Sequence, residues 1–247
     1  MRDLVKLYFT DHNIVNHHIS SFDDFLATSG NPNSRMQRIV DDIRVPTDDA
    51  DRGIIKLDPE RTGGRNIEIH IGRPRDADGN VDPQSRPTIR IDEPKVMEPN
   101  GYSHELTPME ARLRNLNYMS PVFVRFEIFE DGKEKEMPES EKWIHVGDLP
   151  MMVKSSGCNL NKQVMENHLE HSLSPNEYLT ELIKQKEDPR EPGGYFIIGG
   201  TERVLITLED LAPNRIMVEY NEKYGAAVEV AKVFSQKDGY RALTLVE

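Results

Sequence analysis

The chain has 247 residues, enough for one large domain or two small ones with a sizeable core. Its 31 Lys and Arg stand against 43 Asp and Glu, a net charge of -12, so no global positive field draws it to nucleic acid; any such contact must be local or supplied by partner chains. Hydrophobic residues at 36% and charged ones at 30% make much of the chain solvated surface, and apolar runs as short as Tyr195 to Ile198 exclude the roughly 20-residue helix of a membrane span.

Leu4, Leu7, Tyr8, Ile14, Val15, Ile19, Phe22 and Leu26 recur at spacings near three and four, interrupted around Asp11 to Asn13, which predicts two short helices. Ser20 or Ser21 is a candidate N-cap for the second, and Ser29-Gly30-Asn31-Pro32 is a stop. Met36, Ile39, Val40 and Ile43 mark a further helical turn or two, ended by Pro46 and the acids that follow. From Arg65 the period changes to two: Ile67, Ile69 and Ile71, then Ile89 and Ile91, read as antiparallel strands. Residues 107–119 read as a helix with Thr107 as cap, Pro108 in the first turn and Glu110 three residues beyond the cap. Within it Glu110 and Arg114, four apart, can pair on one face while Leu113 and Leu116 fall on another. Val122 to Phe129 is a strand, Asp131-Gly132 a hairpin turn, and the apolar pattern recovers at Trp143 to Val146.

Residues 161–187 carry a polar helical tract broken at Ser174-Pro175. Gly194 to Leu208 reads as strand, Gly-Gly turn, strand, and Ile216 to Tyr220, Ala226 to Phe234 and Arg241 to Val246 as further strands. The last strand reaches Glu247 with no stop signal, so the sequence reads as ending within a domain. The fold class expected is α+β, mixed helices and antiparallel sheet, with one domain over 1–214 and the first strands of a second over 215–247.

Few residue groups suggest chemistry of their own. Asp76, Asp78 and Asp82 with Gly79 are spaced like a short calcium loop, but Pro87 stands where its closing bidentate Glu belongs, and Asp78-Gly79 is an ordinary turn. His17 and His18 are adjacent and expected on different sides of a helix; His168 and His171 could share a face; neither pair has the company a metal needs. Gly63-Gly64 and Gly199-Gly200 lack the Lys-Ser/Thr of a phosphate-binding loop. A lone Cys158 excludes an internal disulfide, and no sequence arrangement orients His145 or another base on its thiol. The first ten residues lack the apolar core of a signal peptide, and the single cysteine leads to the expectation of a reducing cytoplasm. The segment from Gly193 to Val204 is an apolar strand delivering a tight turn and then Glu202 and Arg203.

Three segments, in this order, resemble the N-terminal region of the second-largest subunit of multisubunit DNA-directed RNA polymerases of the archaeal and eukaryotic branch. PMEARLRNLNYMSPVFV at 108–124 resembles the family's Pro-x-Glu-Ala-Arg-Leu-Arg-x-Leu-x-Tyr signature. HVGDLPMMVKSSGCNL at 145–160 resembles its Gly-x-Leu-Pro-Met-Met-x-x-Ser-x-x-Cys-x-Leu segment, and GGYFIIGGTERVLI at 193–206 its Gly-Gly-Tyr-Phe-Ile-Ile-Asn-Gly-x-Glu-Arg/Lys-Val segment. The opening, LVKLYFTDHNIVNHHISSFDDFL, is similar to the subunit's first helices.

The resemblance implies a protrusion-like domain to about residue 214, on one wall of the DNA cleft, followed by the start of a lobe-like domain. It implies partners: the largest subunit, the rest of the second-largest one, the DNA template and the RNA product, and no membrane. It implies no catalytic residue and no metal in this chain, the Mg of the complete polymerase being held by another subunit. Arg203 is the first choice for a nucleic-acid contact, with Thr207 on the same strand face and Lys154 as further candidates. In many relatives a Gln follows the position of Thr207, where this chain has Leu208. Arg112 and Arg114 are expected to be structural, pairing with Glu110 or with backbone carbonyls. The rival readings are a free-standing nucleic-acid-binding or interaction module built on the same domain, and a hydrolase using Asp76 to Asp82.

Overall fold

A computed structural model describes residue 4 and residues 14–27, 31–43, 53–74, 80–81, 85–221, 228–237 and 239–246. It is an α+β fold whose strands pair antiparallel throughout. The chain divides into two compact units, one up to Val204 and one from Leu205 onward.

The first unit is organised on one long strand. Helices α1 (Asn16–Phe25) and α2 (Arg35–Asp41) precede strands β1 (Ile54–Leu57), β2 (Ile67–Ile71), β3 (Ile89–Ile91), β4 (Lys95–Met97) and β5 (Ser103–Glu105). Helix α3 (Pro108–Leu113) leads into the twelve-residue β6 (Met119–Glu130), followed by β7 (Lys133–Glu134), a short 3-10 turn at Glu139–Lys142 and β8 (Trp143–Pro150). Helices α4 (Lys162–Leu169) and α5 (Pro175–Lys184) and the hairpin strands β9 (Phe196–Ile198) and β10 (Thr201–Arg203) complete the unit. β6 pairs with β2 through Phe126 to Glu130, with β3 through Val122 to Val124, and with β8 through Met119 to Arg125. The alternation of Ile67, Ile69 and Ile71 is therefore met by Ile128 and Phe126 across the ladder.

The main core gathers around Tyr118, just before this strand begins. Tyr118, Leu26, Met151, Met152, Leu160, Leu182 and Ile197 are fully buried, drawn from five separate stretches of sequence. Burying each such side chain contributes on the order of 1.5–3 kcal/mol. The Tyr118 hydroxyl stays paired within this core: the Asn159 N–H donates to it at 3.0 Å and Cys158 Sγ lies 3.3 Å away. A smaller cluster of Val40, Ile89 and Val122 seats α2 on the sheet. There Gln37 fills a buried polar slot, accepting the Thr88 N–H at 2.8 Å and donating to Asp41, whose carboxylate also holds the buried Arg73 at 2.7 Å.

Local signals explain most boundaries. Thr107 caps α3 through the Glu110 N–H with Pro108 in the first turn, and Ser174 and Glu177 form a reciprocal capping box on α5. Asp131 and Gly132 both have positive φ, 50° and 77°, as the tight β6–β7 turn requires. Some expectations are corrected. Helix α1 begins after Val15, so Ser20 and Ser21 are interior to it and cap nothing. Helix α3 stops at Leu113 rather than 119 because Asn115 turns left-handed (φ 55°) and Leu113 faces solvent. The β4–β5 hairpin has two three-residue strands joined through Pro99-Asn100-Gly101, and sequence periodicity gave no sign of it.

The second unit is a three-stranded meander, β11 (Ile216–Asn221), β12 (Val228–Lys237) and β13 (Tyr240–Val246), in the order β11-β12-β13. Its compact region starts ten residues before the 215 expected from sequence, because the preceding segment is tied to the sheet. Asn214 exchanges bonds with Phe234 and Gln236, and Asp210 faces Arg241 at 3.4 Å.

Candidate nucleic-acid interface

The three segments singled out by sequence meet at the β9–β10 hairpin. Gly199 and Gly200 occupy its turn with φ 56° and 72°, the paired left-handed conformation of a two-residue hairpin. The Tyr118 N–H donates to Ile197 O at 2.9 Å, the Gly200 N–H to Leu116 O at 3.0 Å and the Gly199 N–H to Asn117 Oδ1 at 2.6 Å. A Cβ on Gly200 would lie 2.8 Å from Asn115 Cα and 2.9 Å from Arg112 O, so the turn is pressed onto the end of α3. At the other end, the Val153 N–H donates to Tyr195 O and the Gly194 N–H to Val153 O, which joins the hairpin to the Met151 to Leu160 segment.

Beneath the hairpin lies one guanidinium. Arg112, with a side chain 19% exposed, pairs through Nε with Glu202 at 2.9 Å and faces Glu187 at 3.6 Å and Glu191 at 3.9 Å. It also donates to the Tyr195 hydroxyl. Glu187 is nearly fully buried and accepts the Met109 N–H at 2.6 Å, so it satisfies an orphan donor in the first turn of α3 as well. Burial pushes the Glu187 carboxyl up, against the opposing pull of the Met109 N–H and Arg112. Burial likewise raises the Tyr195 hydroxyl above its ordinary range. Arg112 is structural, as expected, but its partners are carboxylates from 75 to 90 residues away rather than Glu110. Arg114 takes Glu110 and Glu98, each at 2.6 Å.

The candidate contact residues lie in different surroundings. Arg203 ends β10 opposite Phe196, is exposed, and among the described residues has no ion pair or hydrogen bond to its side chain. Lys154 has a left-handed backbone (φ 68°) and is half-buried; its Nζ donates to the Tyr178 hydroxyl at 3.0 Å and sits 5.1 Å over that ring. The Tyr178 hydroxyl in turn donates to Leu160 O at 2.7 Å. Thr207 is exposed and belongs to the second unit; β10 ends at Arg203, so the two do not share a strand face.

Other sequence candidates resolve into plain structural roles. Cys158 is fully buried and burial raises its thiol, while His145 pairs with Asp148 at 3.0 Å. The His17 and His18 rings are 4.1 Å apart rather than on separate sides. His168 bridges Glu93 at 2.8 Å and Glu105 at 3.3 Å through its two ring nitrogens, whereas His171 bonds Leu169 O. Glu98, His104 and Glu110 also cluster, with Arg114 seated between the two carboxylates. Asp76, Asp78 and Asp82 lie outside the described residues. No described helix is long and apolar enough to cross a membrane.

Sequence reasoning did not find Glu187, Glu191 or Tyr195 as partners of Arg112. The nearest available signal was Arg112 itself, a base that no acid on its own short helix neutralises once Arg114 has taken Glu110.

Among the described residues, the hairpin thus carries an exposed arginine without an ion pair, on a turn fastened to the end of α3. Residues 13–222 match the family model described as RNA polymerase beta subunit. The chain is 36% identical to DNA-directed RNA polymerase subunit Rpo2N of Methanocaldococcus jannaschii and 38% identical to Rpo2N of Halobacterium salinarum, over 100% of this chain in each case. It is 31% identical to subunit Rpo2 of Saccharolobus solfataricus over 99% of the chain. It spans 40% and 39% of the two Rpo2N relatives and 17% of Rpo2. The chain belongs to the RNA polymerase beta subunit family, and its likeness is to the N-terminal part of the archaeal second subunit.

Proposed function

We propose that the chain forms one wall of the DNA cleft in a DNA-directed RNA polymerase, as the N-terminal part of the second-largest subunit. The observation that carries this reading is the convergence of the three family segments on a single rigid hairpin that leaves Arg203 free. In this reading the first unit is the protrusion and the second unit the start of the lobe. Its partners are the largest subunit and the remainder of the second-largest one, with DNA template and RNA product held between them in the cytoplasm. The nucleotidyl transfer and its Mg belong to another subunit, and this chain supplies shape and local charge.

Arg203 is the phosphate contact in this reading. Lys154, already engaged by Tyr178, must exchange that partner to reach a phosphate, and Thr207 offers a hydroxyl only. Purifying the tagged chain from its source cells tests the assembly: the largest polymerase subunit and template-directed RNA synthesis are expected in the eluate. A chain recovered alone, with no RNA synthesis, refutes the reading. Arg203→Ala in the assembled polymerase should hasten release of the bound scaffold and lower the salt slope by about one counterion.

A further inference from the structure

Glu202 sits next to Arg203 in sequence but on the opposite side of β10, and its carboxylate is 57% exposed. An exposed acid beside a phosphate contact opposes that contact unless something holds it back. Arg112 Nε holds it at 2.9 Å, from a helix whose following residues, Leu116 and Asn117, are already fastened to the hairpin by the Gly200 and Gly199 amides. Arg112 is in turn fixed by Glu187 and Glu191, both from the segment after α5, and by the hydroxyl of Tyr195, the residue before β9. One guanidinium therefore joins the α3 helix, the segment between α5 and β9, and strand β10.

We propose that Glu202 is a positioning residue: tethered to Arg112, it fixes the register and tilt of β10 so that Arg203 is presented in a single orientation toward the nucleic-acid backbone. The inference rests on the assignment of Arg203 as the contact. Pre-organisation of this kind acts by removing the ordering cost at the moment of binding, so its loss appears as faster release rather than as loss of fold. The tether is a partly exposed ion pair, worth about twofold to fivefold in release rate.

The discriminating pair is Glu202→Gln against Glu202→Ala. Both remove the charge; only Gln keeps an oxygen to accept from Arg112. Each is placed in the complete polymerase, assembled on a DNA–RNA scaffold, and release of the scaffold is followed as salt is raised. E202A should release about two to five times faster than the parent polymerase, with E202Q between the two, and the difference between the variants should vanish when Arg203→Ala is already present, because the tether acts through that side chain. Equal rates for E202A and E202Q overturn the inference, as does an unchanged factor in the R203A background. If R203A alone leaves release unaltered, the assignment of Arg203 itself fails and takes the positioning role with it. Normal release by E202A together with faster release by R203A removes only the tether.

Discussion

Replacing Gly200 by Ala tests how tightly the hairpin is pressed onto α3. Two costs separate cleanly, because Gly199 and Gly200 share the same kind of backbone but not the same surroundings. Both have positive φ, so an added Cβ costs about 1–2 kcal/mol at either position. At Gly199 nothing lies within 4 Å of the new carbon, and the cost ends there. At Gly200 it meets Asn115 Cα and Oδ1 at 2.8 Å and Arg112 O at 2.9 Å, two of them backbone atoms that cannot rotate away. Relieving that overlap costs about 1–3 kcal/mol and stretches the Gly200 N–H bond to Leu116 O, worth about another 1 kcal/mol. G200A is therefore expected to lose about 3–6 kcal/mol against about 1–2 for G199A. The single tryptophan, Trp143 in β8, reports on the first unit by fluorescence during thermal unfolding. At about 2–4 °C per kcal/mol for a unit of this size, the difference of about 2–4 kcal/mol should make G200A melt roughly 4–16 °C below G199A. Two variants with equal stability within about 0.5 kcal/mol would show that the hairpin turn does not rest on α3.

Tyr118→Phe removes the acceptor of the buried Asn159 N–H and the neighbour of Cys158 Sγ; an expected loss of about 1–3 kcal/mol is measured by the same fluorescence, and a neutral result refutes the pairing. Glu177→Ala tests the α5 capping box through its pH dependence. The bonds with Ser174 lower the Glu177 carboxyl below its ordinary 4.5, so its contribution is present above that value and is lost as pH falls through the lowered folded value. The variant should be less stable than the parent at pH 7, with the gap closing as the solution is acidified below pH 4. A gap constant from pH 7 to pH 3 would assign the effect to helix propensity instead. For Glu187 the sign reverses: burial raises its carboxyl, so its titration contributes stability that is complete below the unfolded value and lost as pH rises through the folded one. Glu187→Gln, which removes that titration, should therefore flatten the stability profile between pH 4 and 7.

What could be read from sequence was whatever local chemistry dictates. Thr107-Pro108 with Glu110, the break at Ser174-Pro175, Asp131-Gly132 and Gly199-Gly200 each fix a boundary by capping or by positive φ, and each stands where it was expected; the part of Glu177 in the α5 cap was not read. Ile67, Ile69 and Ile71 declared a strand because one face is apolar at every second position. The β4–β5 hairpin stayed hidden because three residues per strand are too few to show a period, and Val96 is its one half-buried apolar residue. Helix α3 read too long because Leu116 and Tyr118 continue the apolar spacing after the backbone has turned at Asn115. The surroundings of Arg112 lay beyond reach for another reason: partners 75 to 90 residues away are chosen by the fold, and no window of sequence contains both ends. The family likeness supplied the order of the three segments but not the ion pairs that join them.

Tyr118 carries the meeting of those segments on its own backbone, giving its N–H to Ile197 and receiving the Met151 N–H at its carbonyl. Its neighbours in space are thus 79 and 33 residues away along the chain. Closing loops of that size is entropically costly once, but lengthening them further adds only about 0.6 kcal/mol for each doubling. The architecture can therefore absorb additional chain in its outlying turns at small thermodynamic cost, whereas a single residue inserted between Leu116 and Tyr118, or between Tyr195 and Gly200, would shift one ladder against the other and separate the three segments.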